Sequence, residues 1–113
     1  MDLNLIKKTI KEIFGIGNLE SDSRSQNTVV ARHAYWLLAS YFGYSLGQTA
    51  LAINKNHSTS YNAITRALHM CQTDREYREK IKILFQTLKP YEKTYKRTPE
   101  RIALFRSAVD AIL

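Results

Sequence analysis

Five consecutive residues, Asn56-His57-Ser58-Thr59-Ser60, carry an amide, an imidazole and three hydroxyls, with no carboxylate among them. Side chains of this kind hydrogen-bond well to phosphate oxygens and to the edges of bases. His57 can donate to or accept from a base edge, Ser58 can hydrogen-bond a base or touch a thymine methyl through its Cβ, and Thr59 can reach a phosphate. Further along, Asn62, Thr65, Arg66 and His69 extend the same kind of surface. Lys55 and Arg66 flank the run and suit phosphate neutralisation.

Groups like these read a duplex only if a helix presents them, and the surrounding pattern supplies one. Leu46, Thr49, Ala50 and Ile53 recur at helical spacing, Asn54-Lys55-Asn56 interrupts them, and Tyr61, Ile64, Leu68 and Cys71 resume on one face. The pattern predicts helix, short turn, helix. The second helix then has Tyr61, Ile64, Leu68 and Cys71 inward, and His57, Ser58, Ser60, Asn62, Thr65, Arg66 and His69 outward. The first turns of such a helix enter the major groove, where its free amides also favour phosphate.

The remaining elements frame this unit. A first helix reads from Asp2, an N-cap, to Phe14, with Leu3, Ile6, Ile10 and Ile13 at helical spacing and Gly15 and Gly17 ending it. Lys7, Lys8 and Lys11 lie off its stripe and read as a solvated face. Asn18 to Asn27 is a polar loop in which only Leu19 is apolar. A long helix from about Thr28 to Phe42 turns Val30, Ala34, Leu37, Leu38, Tyr41 and Phe42 inward and stops at Gly43, and Tyr35 and Trp36 broaden its packing surface. Ser45-Leu-Gly-Gln48 has the capping-box pattern, and Thr73-Asp-Arg-Glu76 repeats it ahead of a helix carrying Tyr77, Ile81, Leu84 and Leu88, which Pro90 halts. Pro90 to Arg97 is a basic linker. Thr98-Pro99-Glu100 then opens a last helix with Ile102, Phe105, Val109 and Ile112 on one face.

In order and spacing, roughly Leu3 to Leu88 resembles the C-terminal DNA-binding domain of the bacterial replication initiator DnaA. The resemblance rests on the amphipathic helix Leu5 to Ile13, the linker Ser23-Arg24-Ser25, the long helix from Arg32 to Phe42, the helix start Ser45-Leu46 and the run Asn56-His57-Ser58-Thr59-Ser60. It implies an all-α fold of five to six helices with a Trp-repressor-like helix-turn-helix. It also implies base contacts from His57 and Ser58, a backbone contact from Thr59, a minor-groove arm at Arg24 and a phosphate contact from Arg32. The departures fall within the motif itself. The family's Asp is Asn56, its Gly-Gly-Arg shortens to Asn54-Lys55, its Val is Ser60, its usual Gln is His33 and a usual Arg is Val30. Asn in place of Asp adds donors to an acceptor-only site, which predicts a changed base preference.

Composition agrees with a polyanionic partner. In 113 residues there are 17 Lys and Arg against 10 Asp and Glu, a net charge of +7, which favours nucleic acid first and an anionic membrane surface second. Lone Cys71, on an apolar stripe, reads as a small buried hydrophobe, and no disulfide framework can form within the chain. No apolar stretch approaches the ~20 residues of a membrane span and no cleavable leader is evident, so the cytosol of a bacterium, or of one carrying a phage or mobile element, is the expected compartment. No nucleotide-binding Gly-x-x-x-x-Gly-Lys-Ser/Thr loop, metal-spaced Cys/His cluster or nominated catalytic pair is present.

The expectation is therefore a non-enzymatic, cofactor-free binder of double-stranded DNA, acting as an accessory replication factor or a regulator. Its base contacts would be Asn56, His57, Ser58 and Arg24, and its phosphate contacts Thr59, Arg32, Lys55, Arg66, Asn62 and Ser45. Residues 1–89 form the DNA-binding domain. Residues 90–113 form a linker and helix that packs on the same domain or pairs two copies into a homodimer. The competing expectation is a helical protein-interaction module that kept the fold and lost the groove-reading surface.

Overall fold

The computed structural model describes residues 2–20, 25–55, 60–91 and 107–111, and every element among them is helical. Helix α1 spans Leu3–Phe14, α2 Gln26–Tyr41, α3 Leu46–Ala52, α4 Ser60–Thr73 and α5 Arg75–Leu88, followed by a 3-10 turn at Lys89–Tyr91. Residues 107–111 are again helical. The chain is all-α over the described residues.

Local chemistry sets the boundaries of α1 and α2. The Asp2 carboxylate accepts from Leu5 N at 2.9 Å to start α1, and Gly15, at φ 67°, ends it in the left-handed conformation that glycine adopts without a Cβ clash. The last carbonyl of α1 is met from across the fold, where Asn27 Nδ2 donates to Phe14 O at 2.6 Å. Asn27 therefore belongs to α2, which begins two residues earlier than the sequence pattern gives, because Ser25 caps it through Thr28 N. Leu19, in the connection between the two helices, is fully buried. One apolar side chain thus pins a stretch that otherwise reads as polar loop.

Helix α2 is the central element and packs against α1, α3 and, most extensively, α4. Its buried residues run all the way round, from Ala31 and Ala34 through Tyr35, Trp36, Leu37 and Leu38 to Tyr41, as a helix covered on several sides requires. The aromatic end of the core is Tyr41, Phe42 and Phe85. The Tyr41 and Phe85 rings meet edge-on at 4.6 Å between centroids, and Phe42 lies 5.7 Å from Phe85. Large aromatics in such geometry supply much of a small core's burial.

Helix α5 starts one residue later than its Thr73 pattern suggests. Thr73 closes α4, its hydroxyl donating to His69 O, and Asp74 is the cap, accepting from Tyr77 N at 3.1 Å. Tyr77 is thereby turned inward, where its hydroxyl donates to Val30 O at 3.1 Å. The C-terminal turn touches the body of the domain, with Val109 buried in the core and Tyr41 donating to Asp110 Oδ1 at 3.0 Å. The linker, Thr98, Ile102, Phe105 and Ile112 lie outside the described residues.

Candidate nucleic-acid interface

Short helix α3 is the first half of the sequence-derived helix-turn-helix, and its start is built as its residues dictate. The Ser45 hydroxyl accepts from Gln48 N at 3.1 Å while the Gln48 side chain accepts from Ser45 N at 3.2 Å, a complete capping box. Its other end is unusual for so short a helix. The last four carbonyls of a helix have no partner within it, and here each finds one elsewhere. Tyr35 Oη donates to Thr49 O at 2.8 Å, Lys55 N to Ala50 O at 2.9 Å, Asn54 N to Leu51 O at 3.1 Å and Lys7 Nζ to Ala52 O at 2.9 Å. Asn54 takes φ 55°, the left-handed conformation Asn tolerates better than most side chains. The turn is thus tied to α1 through Lys7 and to α2 through Tyr35.

Lys7 corrects the sequence reading, which assigned it to a solvated face. Its ammonium is mostly buried, donates to Ala52 O and pairs with Glu20 at 2.6 Å. The Lys7 hydrogen bond holds the Glu20 carboxyl below the usual carboxylate range, against an opposing effect of burial. A cation at the carboxyl end of α3 also complements that helix's dipole.

Helix α4 keeps Ile64, Leu68 and Cys71 toward the core but departs from its apolar pattern in its first turn. Ser60, Ala63, Ile64, Ala67 and Cys71 are the buried residues. Ser60 is therefore inside rather than on the outward face, and Tyr61 is half-exposed rather than inward. Small side chains at Ser60, Ala63 and Ala67 let α4 lie close to α2, which buries more than a bulkier face could. Asn62, Thr65, Arg66 and His69 remain exposed, as their sequence positions indicate. Cys71 is buried, its thiol pushed up to about 11 by desolvation.

Between α2, the turn and α4 lies a cleft of about 340 Å³ lined by Val29, Arg32, His33, Trp36, Lys55, Asn62, Ala63 and Arg66. Four residues singled out from sequence as phosphate contacts, Arg32, Lys55, Asn62 and Arg66, share it. Ser45 does not line it, and its hydroxyl is occupied by the capping box. Among the described residues no carboxylate lines the cleft. His33 was not among the expected contacts, yet it stands in the wall. Its Nδ1 is buried with no hydrogen-bond partner among the described residues, and burial, reinforced by Arg66 and Arg32, holds its pKa below the ordinary value. Asn56, His57, Ser58, Thr59 and Arg24 lie outside the described residues.

No group of His, Cys, Asp and Glu able to hold a metal occurs among the described residues, and no helix there is long and apolar enough to cross a membrane. Set against known proteins, the chain matches no family model, no curated protein and no solved structure.

Proposed function

We propose that this chain binds double-stranded DNA, with α4 and the residues just before it serving as the reading helix, in support of replication or of gene regulation. The observation that carries the reading is the cleft. Arg32, Lys55, Arg66 and the amide donor Asn62, from three different segments, converge there, an arrangement suited to a phosphate backbone. The net charge of +7 supplies long-range attraction to a polyanion. The hydrogen bonds at the end of α3 hold Lys55 against the domain, and in this reading seating the cleft on phosphates sets the register of α4 on the groove.

In this reading phosphate contacts come from Arg32, Lys55, Asn62, Arg66 and Thr59, and base contacts from Asn56, His57 and Ser58, with Arg24 as a minor-groove arm. Selection from random duplex DNA, repeated with His57→Ala and with Lys55→Ala, tests it. The parent should enrich a defined site. His57→Ala should weaken that site by about 1–3 kcal/mol and flatten the preference, while Lys55→Ala should weaken all sequences alike. A folded parent that enriches nothing and binds no duplex at low salt would refute the proposal and favour a protein-interaction module.

A further inference from the structure

We propose that Lys7 is a positioning residue for DNA reading: by holding the segment that leads to Arg24 and the turn that leads to His57 on one ammonium, it sets the spacing between the minor-groove and the major-groove contacts. This rests on reading the chain as a two-part DNA binder, but it assigns a role to a side chain outside the cleft that duplex binding by itself does not require.

The Lys7 ammonium meets two acceptors from distant parts of the chain, Glu20 Oε1 at 2.6 Å and Ala52 O at 2.9 Å. Each acceptor stands at the edge of a stretch that carries an expected contact, since Arg24 follows Glu20 by four residues and His57 follows Ala52 by five. On the first side, Leu19 is fully buried next to Glu20, so the chain is fixed up to residue 20. On the second, Asn54 N and Lys55 N bond back to Leu51 O and Ala50 O, so a shift at Ala52 carries the turn with it. Lys7 itself stands on α1 between the fully buried Ile6 and Ile10, on an element firm enough to hold a geometry. Helix α1 packs on α2 and α5, and the Lys7 bond joins it to the end of α3 as well.

A charge is a poor choice here for stability alone. The Lys7 side chain is only 16% exposed, and the desolvation of a buried ion pair offsets most of its attraction. What two short, charge-assisted bonds of defined direction do supply is register. Successive base pairs lie about 3.4 Å apart, so a slip of that size between the two segments is a slip of one base pair in the site that is read.

Selection from random duplex DNA reads this spacing directly. The parent should enrich sites with a major-groove block and an A·T-rich minor-groove block at one fixed separation. Lys7→Met should keep both blocks, spread their separation over neighbouring registers and lower affinity for the parent's site by about two- to tenfold, with the salt slope unchanged because no phosphate contact is lost. Glu20→Ala frees only the Arg24 side and removes a partly exposed side chain, so it should spread the separation even if Lys7→Met fails to fold. Phe85→Ala is a control destabilised elsewhere and should keep the separation sharp. A sharp, parental separation in folded Lys7→Met or in Glu20→Ala would overturn the inference and leave DNA binding standing. So would a parent site with a major-groove block alone, which leaves no second contact to position. A separation spread equally in Phe85→Ala would also overturn it, assigning the effect to stability. A folded parent that enriches nothing would remove the DNA reading and this inference with it.

Discussion

Two sides of α2 contrast in how their polar groups are treated. On the aromatic side the buried tyrosine hydroxyls have partners, with Tyr77 donating to Val30 O, Tyr35 to Thr49 O and Tyr41 to Asp110, and the Tyr41, Phe42 and Phe85 rings fill the space between. On the side facing α4, Arg32, Lys55 and Arg66 line a cleft whose wall includes His33, its Nδ1 buried with no hydrogen-bond partner among the described residues. Burying an unsatisfied polar group costs about 1–3 kcal/mol. The first side is finished by folding alone, whereas the second, in the proposed function, meets the phosphates of DNA.

The largest expected effect breaks the finished side. Phe85→Ala removes a ring that touches both Tyr41 and Phe42 and should cost about 3–5 kcal/mol. At roughly 4–8 °C per kcal/mol for a domain of this size, calorimetry should show a fall in Tm of more than about 12 °C. The cleft residues should lose nothing but stability, so duplex affinity measured well below the new Tm should match the parent. A melting point within a few degrees of the parent would mean that this aromatic cluster is not the keystone of the core.

Next comes the link between the two sides. Lys7→Met keeps the aliphatic stem but leaves Ala52 O and Glu20 without their cation, which should lower stability by about 1–2 kcal/mol in urea melts. Because Lys7 ties the α3 end to α1, amide exchange at Ile53, Asn54 and Lys55 should quicken more than exchange elsewhere. Uniform quickening would show that Lys7 contributes only to global stability.

The smallest effect separates the sides by pH. His33 has a folded pKa below its ordinary value of 6.5, so the unfolded chain binds the proton more readily and stability falls as pH drops below about 6.5 toward the folded pKa. Glu20 behaves oppositely in cause and in window. Its lowered pKa adds stability that is present above the ordinary 4.5 and is lost only as pH falls through the folded value. Unfolding free energies at pH 7 and pH 5 should therefore differ more in the parent than in His33→Gln, with the Glu20 contribution nearly unchanged across that interval. An identical difference in both would show that His33 titrates alike folded and unfolded.

How much of this was legible in the sequence depends on the range of the interaction. The Ser45–Gln48 box, the Asp2 cap, the Gly15 stop and the inward face of α2 are decided within a few residues, and each stands where its pattern indicates. Ile64, Leu68 and Cys71 face the core as expected, but Tyr61 and Ser60 were misread because hydropathy rewards a Tyr over a Ser, while the buried face of α4 takes the small Ser60, Ala63 and Ala67. Lys7 was misread because its acceptor is Ala52, 45 residues away in sequence, and no periodicity reports a carbonyl at the end of another helix. Thr73 lost the cap to Asp74 because adjacent residues can both serve and the position of Tyr77 in the core chooses between them. Part of the cleft was readable, since Arg32, Lys55, Asn62 and Arg66 were each picked out by type and place. His33 was legible only as a departure from a family pattern, and its role in the wall emerges from the fold.

The central claim is that the side facing α4 is completed by the phosphates of duplex DNA. Fluorescence anisotropy of a labelled duplex, titrated with parent and with Arg66→Ala across a series of salt concentrations, tests it most directly. If around five phosphates are neutralised, the parent's log K should fall with log salt at a slope of about −4 to −5, and Arg66→Ala, in which one contact is lost, should bind more weakly with a slope shallower by about one and an unchanged melting temperature. Affinity insensitive to salt, or an Arg66→Ala line that superimposes on the parent's, would contradict the account.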